Sequence, residues 1–272
     1  MTTVADVVAV LQRHYPESLA ESWDRVGLAV GSRGATVSRI LYTVDVTLEV
    51  VEEAVSRGAD LVVAHHPLLL RGVHAVDLDH PKGRILAELV RNGIALYVAH
   101  TNADLPPGGV VDSLATALGL TGARPLRPAS GAGADTGLGR VGSVDGELTL
   151  GDFVQRVAQV LPATGGGIRV SGDLDRPVAV VAVQAGAGDD LLDAAREAGA
   201  DVYLTSDLRH HPASEARAWP EAPALVDVSH WAAESLWLPV CARVVATGLD
   251  AAGMTVPADV STVRTDAWDH HV

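Results

Sequence analysis

Side chains with ligand or acid–base chemistry recur just past short apolar runs. DLVVA ends in His65-His66, IALYVA in His100-Thr-Asn-Ala-Asp104, VYLT in Ser206-Asp207 with His210-His211 beyond, and ALVDV in Ser229-His230. His230 and Glu234 stand four apart, which on a helix puts them on one face a turn apart. Imidazole and carboxylate without thiolate suit Zn, Mn, Fe, Co or Ni rather than a soft metal. His65, His66, Asp104, His230 and Glu234 are therefore the candidate metal ligands. Adjacent histidines on extended backbone point in opposite directions, which makes a single shared ion awkward. Two divalent ions about 3.5–4 Å apart, bridged by a carboxylate, relieve that difficulty and leave room for an activated water. Asp207, His100 and His210 are the candidate catalytic groups, each able to move protons near neutral pH.

Each motif alone has a plainer reading. A His pair is commonly a surface feature, and a helical His/Glu pair is commonly solvated. Asp104 after a strand reads as a helix N-cap, and Asp45-Val46-Thr47 as a strand-end turn and cap. His210-His211 can open a helix capped by Asp207. The coincidence of several such groups at strand ends favours metal. Gly186 and Gly188 follow VAVVAV in the manner of a phosphate turn, but Asp189 and Asp190 would repel phosphate there, so a close strand–helix turn is expected. No GxxxxGK[ST] loop occurs.

The elements that must position these groups alternate strand and helix. Helices are expected at 6–11, 48–57, 81–91 and 110–118, and strands at 39–44, 60–64 and 94–99. Continuous apolar strands in that alternation indicate a parallel α/β sheet, whose carboxyl ends share one edge and bind ligands. Residues 123–139 are rich in Gly, Pro, Ser and Ala and read as a linker or long loop. Beyond it, strands are expected at 138–144, 168–171, 178–183, 202–205 and 224–228. Helices are expected at 151–161, 189–198 and, as one long helix, 229–247. The division is into two α/β lobes: 1–123, completed by 235–272, and 124–234.

Composition narrows the classes. The 272 residues carry a net charge of −14, which argues against nucleic acid, whose phosphates need a basic surface. The single cysteine, Cys241, excludes an internal disulfide and a Cys-rich zinc module. No run of about 18 apolar residues is present, so no membrane span is expected. No targeting signal is visible either, and a cytoplasmic protein is the expectation.

Seven segments together resemble a known family: Glu21-Ser-Trp-Asp-Arg-Val-Gly-Leu28, His65-His66-Pro67, His100-Thr-Asn-Ala-Asp104, Gly137-Leu-Gly-Arg-Val-Gly142, Ala185-Gly-Ala-Gly188, Thr205-Ser-Asp-Leu-Arg-His-His211 and Asp227-Val-Ser-His-Trp-Ala-Ala-Glu234. In this order the chain resembles the GTP cyclohydrolase 1 type 2 family, also called the NIF-three-like dinuclear-metal-centre proteins. The resemblance implies two α/β lobes of the NIF-three-like fold, a metal site in the cleft between them, and a ring-like homohexamer. It implies the same five ligands, with His100 and Asp207 lining the metal cavity. It also implies a hydrolase that adds water at C8 of a nucleotide such as GTP and releases formate, with phosphates held by metal, by arginines such as Arg209, or by backbone amides. The alternative is a non-catalytic hexamer that binds, stores or delivers metal or acts as a scaffold. Where the family often reads WDN, TGD and DxGH, this chain has Arg25, Ser206 and Ser229, and Ala103 replaces Leu in HTNLD. No proposed ligand is lost.

Overall fold

The structure is a computed structural model that describes residues 1–272. It divides into two compact units, Met1–Ala103 with Leu238–Thr265, and Asp104–Trp237 with Asp266–Val272.

The first unit begins with α1 (Val4–His14), β1 (Gly27–Val30), β2 (Ile40–Thr43), α2 (Leu48–Arg57), β3 (Leu61–Ala64), α3 (Pro81–Arg91), β4 (Ala95–Val98) and the single turn α4 (Thr101–Asp104). Local chemistry sets the helix ends. Thr3 and Asp6 form a reciprocal capping box on α1. Thr47 caps α2 by accepting from the Val50 N–H, and Gly58 closes it in the left-handed region at φ 66°. The cap lies within Asp45-Val46-Thr47, as expected of that segment. Strands β2, β3 and β4 are buried at every position and pair in parallel, as strands covered on both faces must be. The sheet is not wholly parallel as expected, because β1 runs antiparallel to β4 at one edge. Val50, Val51 and Ala54 of α2 and Ile85 and Leu89 of α3 share a core with Val62 and Leu96. Each such buried Val, Leu or Ile stabilises by roughly 1.5–3 kcal/mol.

The second unit contains α5 (Val110–Ala117), β5 (Leu120–Pro128), β6 (Gly137–Thr149), α6 (Leu150–Val160), β7 (Arg169–Ser171), β8 (Pro177–Ala187), α7 (Leu192–Glu197), β9 (Val202–Ser206), α8 (His210–Arg217), β10 (Ala224–Val228) and α9 (His230–Ser235). Its six-stranded sheet has the order β5-β6-β8-β9-β10-β7. Strands β8, β9 and β10 are parallel, and β5, β6 and β7 pair antiparallel. The expected linker or long loop at 123–139 is loop only over 129–136, because its ends belong to the edge strand β5 and the start of β6. Helix α5 packs on β5, β6 and β8, so it belongs with this unit rather than with a lobe ending at 123. Buried Arg140 ties the unit's first segment down. It pairs with Asp112 at 2.5 Å and donates to the carbonyls of Leu105, Pro106, Gly137 and Gly139.

The chain then returns to the first unit as α10 (Leu238–Asp250) and β11 (Ala258–Val260), which adds parallel to β2. The long helix expected at 229–247 is in fact α9 and α10, interrupted at Leu236–Trp237. Pro239 sits in the first turn of α10, where its missing N–H costs nothing, whereas inside one long helix it would break the ladder. No helix is long and apolar enough to cross a membrane.

Candidate metal centre

In the first unit the carboxyl ends of β2, β3 and β4 lie at one edge. His65 and His66 leave β3, His100 leaves β4 and Asp45 leaves β2. One ring nitrogen from each of His65, His66 and His100 lies within 4.8 Å of the other two. The neighbouring imidazoles of the pair do not diverge. The backbone bends at His65 and His66, and the ring centroids stand 4.9 Å apart.

Each ring is held by one nitrogen. His65 Nδ1 bonds to the Ala99 carbonyl at 2.8 Å, His66 Nδ1 to Asp45 Oδ1 at 2.7 Å and His100 Nδ1 to Asp24 Oδ1 at 2.9 Å. A carbonyl only accepts, so His65 Nδ1 carries the proton and the neutral ring keeps its lone pair on Nε2. Carboxylates impose the same tautomer on His66 and His100, the usual arrangement behind imidazole metal ligands. Asp24 is itself buried, and its Oδ2 accepts from Thr101 N at 3.1 Å and Thr101 Oγ1 at 2.6 Å. Burial alone would raise its pKa. Hydrogen bonds from His100 and Thr101, the charge of His100 and the Arg25 N–H outweigh that and hold the carboxyl well below the usual range. Asp45 is steadied in turn by Thr265 Oγ1 at 2.5 Å.

In the second unit β8, β9 and β10 deliver a second group at their carboxyl ends. Ser229 caps α9 by accepting from the Ala232 N–H at 3.2 Å, which sets the helix carrying His230 and Glu234. His230 Nε2 lies 2.9 Å from Glu234 Oε1, and His230 Nδ1 lies 2.7 Å from Asp207 Oδ2. With Nδ1 donating to Asp207, a neutral ring would face Glu234 lone pair to lone pair. That contact is favourable only with a proton between the two atoms or with a cation held by both. Two donors each about 2.0–2.2 Å from one zinc-class ion stand about 3–3.5 Å apart, close to what is seen. Asp207 is the chain's one non-glycine residue at positive φ, 59°, a strained placement of the kind found at functional sites. Its hydrogen bond from His230, opposed by burial, lowers its pKa.

Gly186, at the end of β8, makes room for this group. It has φ +81°, and a Cβ there would stand 2.6 Å from Glu234 Oε1 and 3.1 Å from His230 Nε2. The close turn expected of Gly186 thus has a reason specific to the His/Glu pair.

Two candidates remain. Asp104 closes α4 and is buried; the imidazole triplet contains His100 and not Asp104. His210 opens α8, exposed, with its ring 5.1 Å from that of His211 rather than on His230. The sequence reading missed the holding role of Asp24 and Asp45. Asp24 lay within the quoted Trp-Asp segment and Asp45 follows a strand, but their partners are 76 and 21 residues away.

The comparisons agree with this architecture. The model of the Duf34/NIF3 (NGG1p interacting factor 3) family matches residues 2–267. A Streptomyces coelicolor protein called a GTP cyclohydrolase 1 type 2 homolog is 47% identical, covering 100% of this chain and 95% of that one. A Mycobacterium leprae protein of the same name is 32% identical, covering 98% and 95%. Among solved structures, a Bacillus cereus protein related to NIF3 superposes with a TM-score of 0.92 at 26% identity over 98% of both chains. A Staphylococcus aureus hypothetical protein superposes with a TM-score of 0.90 at 28% identity over 99% of both. A fold of two mixed α/β units, a family model spanning nearly the whole chain and this retinue of relatives make the chain a member of the DUF34/NIF3 family.

Proposed function

We propose that the chain is a dinuclear-metal-binding protein and a metal-dependent hydrolase, with His65, His66, Asp104, His230 and Glu234 as ligands of two divalent ions. The observation that carries this reading is the common anchoring of four imidazoles. His65, His66, His100 and His230 each have Nδ1 on an oxygen acceptor, which makes Nε2 the nitrogen with ligand chemistry. The mixed nitrogen and oxygen donor set fits Zn, Mn, Fe, Co or Ni. Ions held there would supply Lewis acidity and an activated water.

The chain's own residues do the rest. Asp24, Asp45 and Asp207 fix ring orientation and tautomer, so Asp207 is a positioning residue for His230 rather than a free proton carrier. His100, held at Nδ1 by Asp24, is set to take or give a proton at Nε2. The relatives' name supports a nucleotide such as GTP as substrate. The same family reading supports a homohexamer, which sedimentation of the purified chain checks.

Stripping and reloading the purified protein, with formate release from GTP as the assay, tests the function. Activity lost on stripping, restored by divalent metal and absent in a folded His230→Ala variant supports it. Full turnover in the metal-free protein overturns it. Two bound equivalents without turnover favour the storage or scaffold alternative.

A further inference from the structure

A second cluster lies beside the His230 group in the same unit. A cavity of about 400 Å³ is lined by Arg169, Ser171, Arg209, His210, Ser214 and Arg217, with Asp227 as its one acidic residue. Asp227 is largely occupied: Oδ1 accepts from the Leu208 N–H at 3.3 Å and Oδ2 from Arg169. Arg209 pairs with Asp189 at 2.6 Å. The Nη1 of Arg217 donates only to the carbonyls of Ala222 and Pro223, so its charge meets no carboxylate. Three arginines in one cavity make a local excess of positive charge in a chain of net charge −14. The first turn of α8 also lines this cavity, and no side chain caps its N-terminus. The N–H groups of His210 and His211 (Pro212 has none) and the positive dipole end add to the preference for an anion.

We propose that this cavity binds the phosphate of a phosphorylated small molecule. Guanidinium groups present paired N–H donors that match phosphate oxygens, and Ser171 and Ser214 offer hydroxyl donors beside them. The chain connects the cavity to the reacting end. Leu208 lines it and directly follows Asp207, which holds His230, and Asp227 lies on β10 just before Ser229 and His230 at the start of α9. A substrate phosphate seated here would lie beside the His230–Glu234 group. That second step rests on the metal-hydrolase reading, whereas phosphate binding itself does not.

Pyrophosphate is the probe, titrated calorimetrically into the full-length, chelator-treated protein so that no metal coordinates it. Wild type and His230→Ala are expected to bind it equally. Arg209→Ala, an exposed change that leaves folding intact, and Arg217→Ala are each expected to weaken binding at least tenfold. Metal titrations of the arginine variants should match wild type. Absence of binding to wild type, or equal binding by the arginine variants, overturns the proposal. Retained pyrophosphate binding in a protein that binds no metal would sink the metal-hydrolase reading and leave the phosphate site standing.

Discussion

Replacing Gly186 by alanine separates backbone strain from damage to the proposed ligands. At φ +81° an L-residue is strained, at a cost of roughly 1–2 kcal/mol. The added Cβ would also stand 2.6 Å from Glu234 Oε1 and 3.1 Å from His230 Nε2. The carboxylate must retreat, and a shift of about 0.5 Å is enough to spoil a ligand constellation. Gly58→Ala is the matched control, with φ +66° and nothing within 4 Å of its Cβ. Both variants should lose about 1 kcal/mol, or roughly 2–4 °C in melting temperature. Gly186→Ala alone should lose metal affinity, by about 10–100-fold, the range typical when ligand orientation is disturbed. Chelator competition against a fluorescent zinc or manganese indicator measures the affinity, and thermal denaturation measures the strain. Equal metal affinity in the two variants would refute the assignment of His230 and Glu234 as ligands.

Three other outcomes follow from the geometry. Asp45→Asn should weaken metal binding about 10–100-fold while leaving the fold intact, since it removes the charge that orients the proposed ligand His66; unchanged affinity in chelator competition would contradict this. Arg140→Met should cost at least about 2 kcal/mol in urea denaturation, because it takes the buried guanidinium donor from the Gly137 and Gly139 carbonyls and the counter-charge from Asp112, while the Leu105 and Pro106 carbonyls keep the N–H groups of Gly137 and Gly109; a loss under about 1 kcal/mol would count against it. For Glu53, burial raises the pKa, but hydrogen bonds from Ser261, Arg57 and the Thr262 N–H more than offset this and hold it below the ordinary 4.5. A depressed acid stabilises fully above its unfolded pKa, and that contribution fades as pH falls through the folded value. Glu53→Gln should therefore be less stable than wild type at pH 7, with the gap closing only as pH falls below the ordinary 4.5 and through the lower folded value; a gap independent of pH would show that the charge contributes nothing.

Much of this was legible in the sequence. Helices α2 and α3 stand at the expected residues because Thr47, Gly58 and Pro81 mark their ends chemically. The buried strands β2, β3 and β4 are continuous apolar runs, and the chemistry-bearing residues do sit at their carboxyl ends. What escaped depends on partners rather than on local pattern. Strand β5 is an exposed edge whose glycine, alanine and proline content looks like linker, and only its ladder with β6 makes it a strand. Strand β11 has three residues and is defined by β2. The break between α9 and α10 was signalled by Pro239, but helical apolar spacing runs across it. The histidines were visible as candidates, whereas Asp24 and Asp45 were not recognisable as their anchors, because a carboxylate's partner tens of residues away leaves no periodicity to read.

The order of segments along the chain also bears on biosynthesis. Strand β2 forms early, yet one flank of it stays bare until residues 258–260 arrive. Until then, that row of amide and carbonyl groups is available to stray strands. A nascent polypeptide halted between α10 and β11 should aggregate readily, and residues 251–260 then act as a safeguard for a sheet begun with β1 and β2.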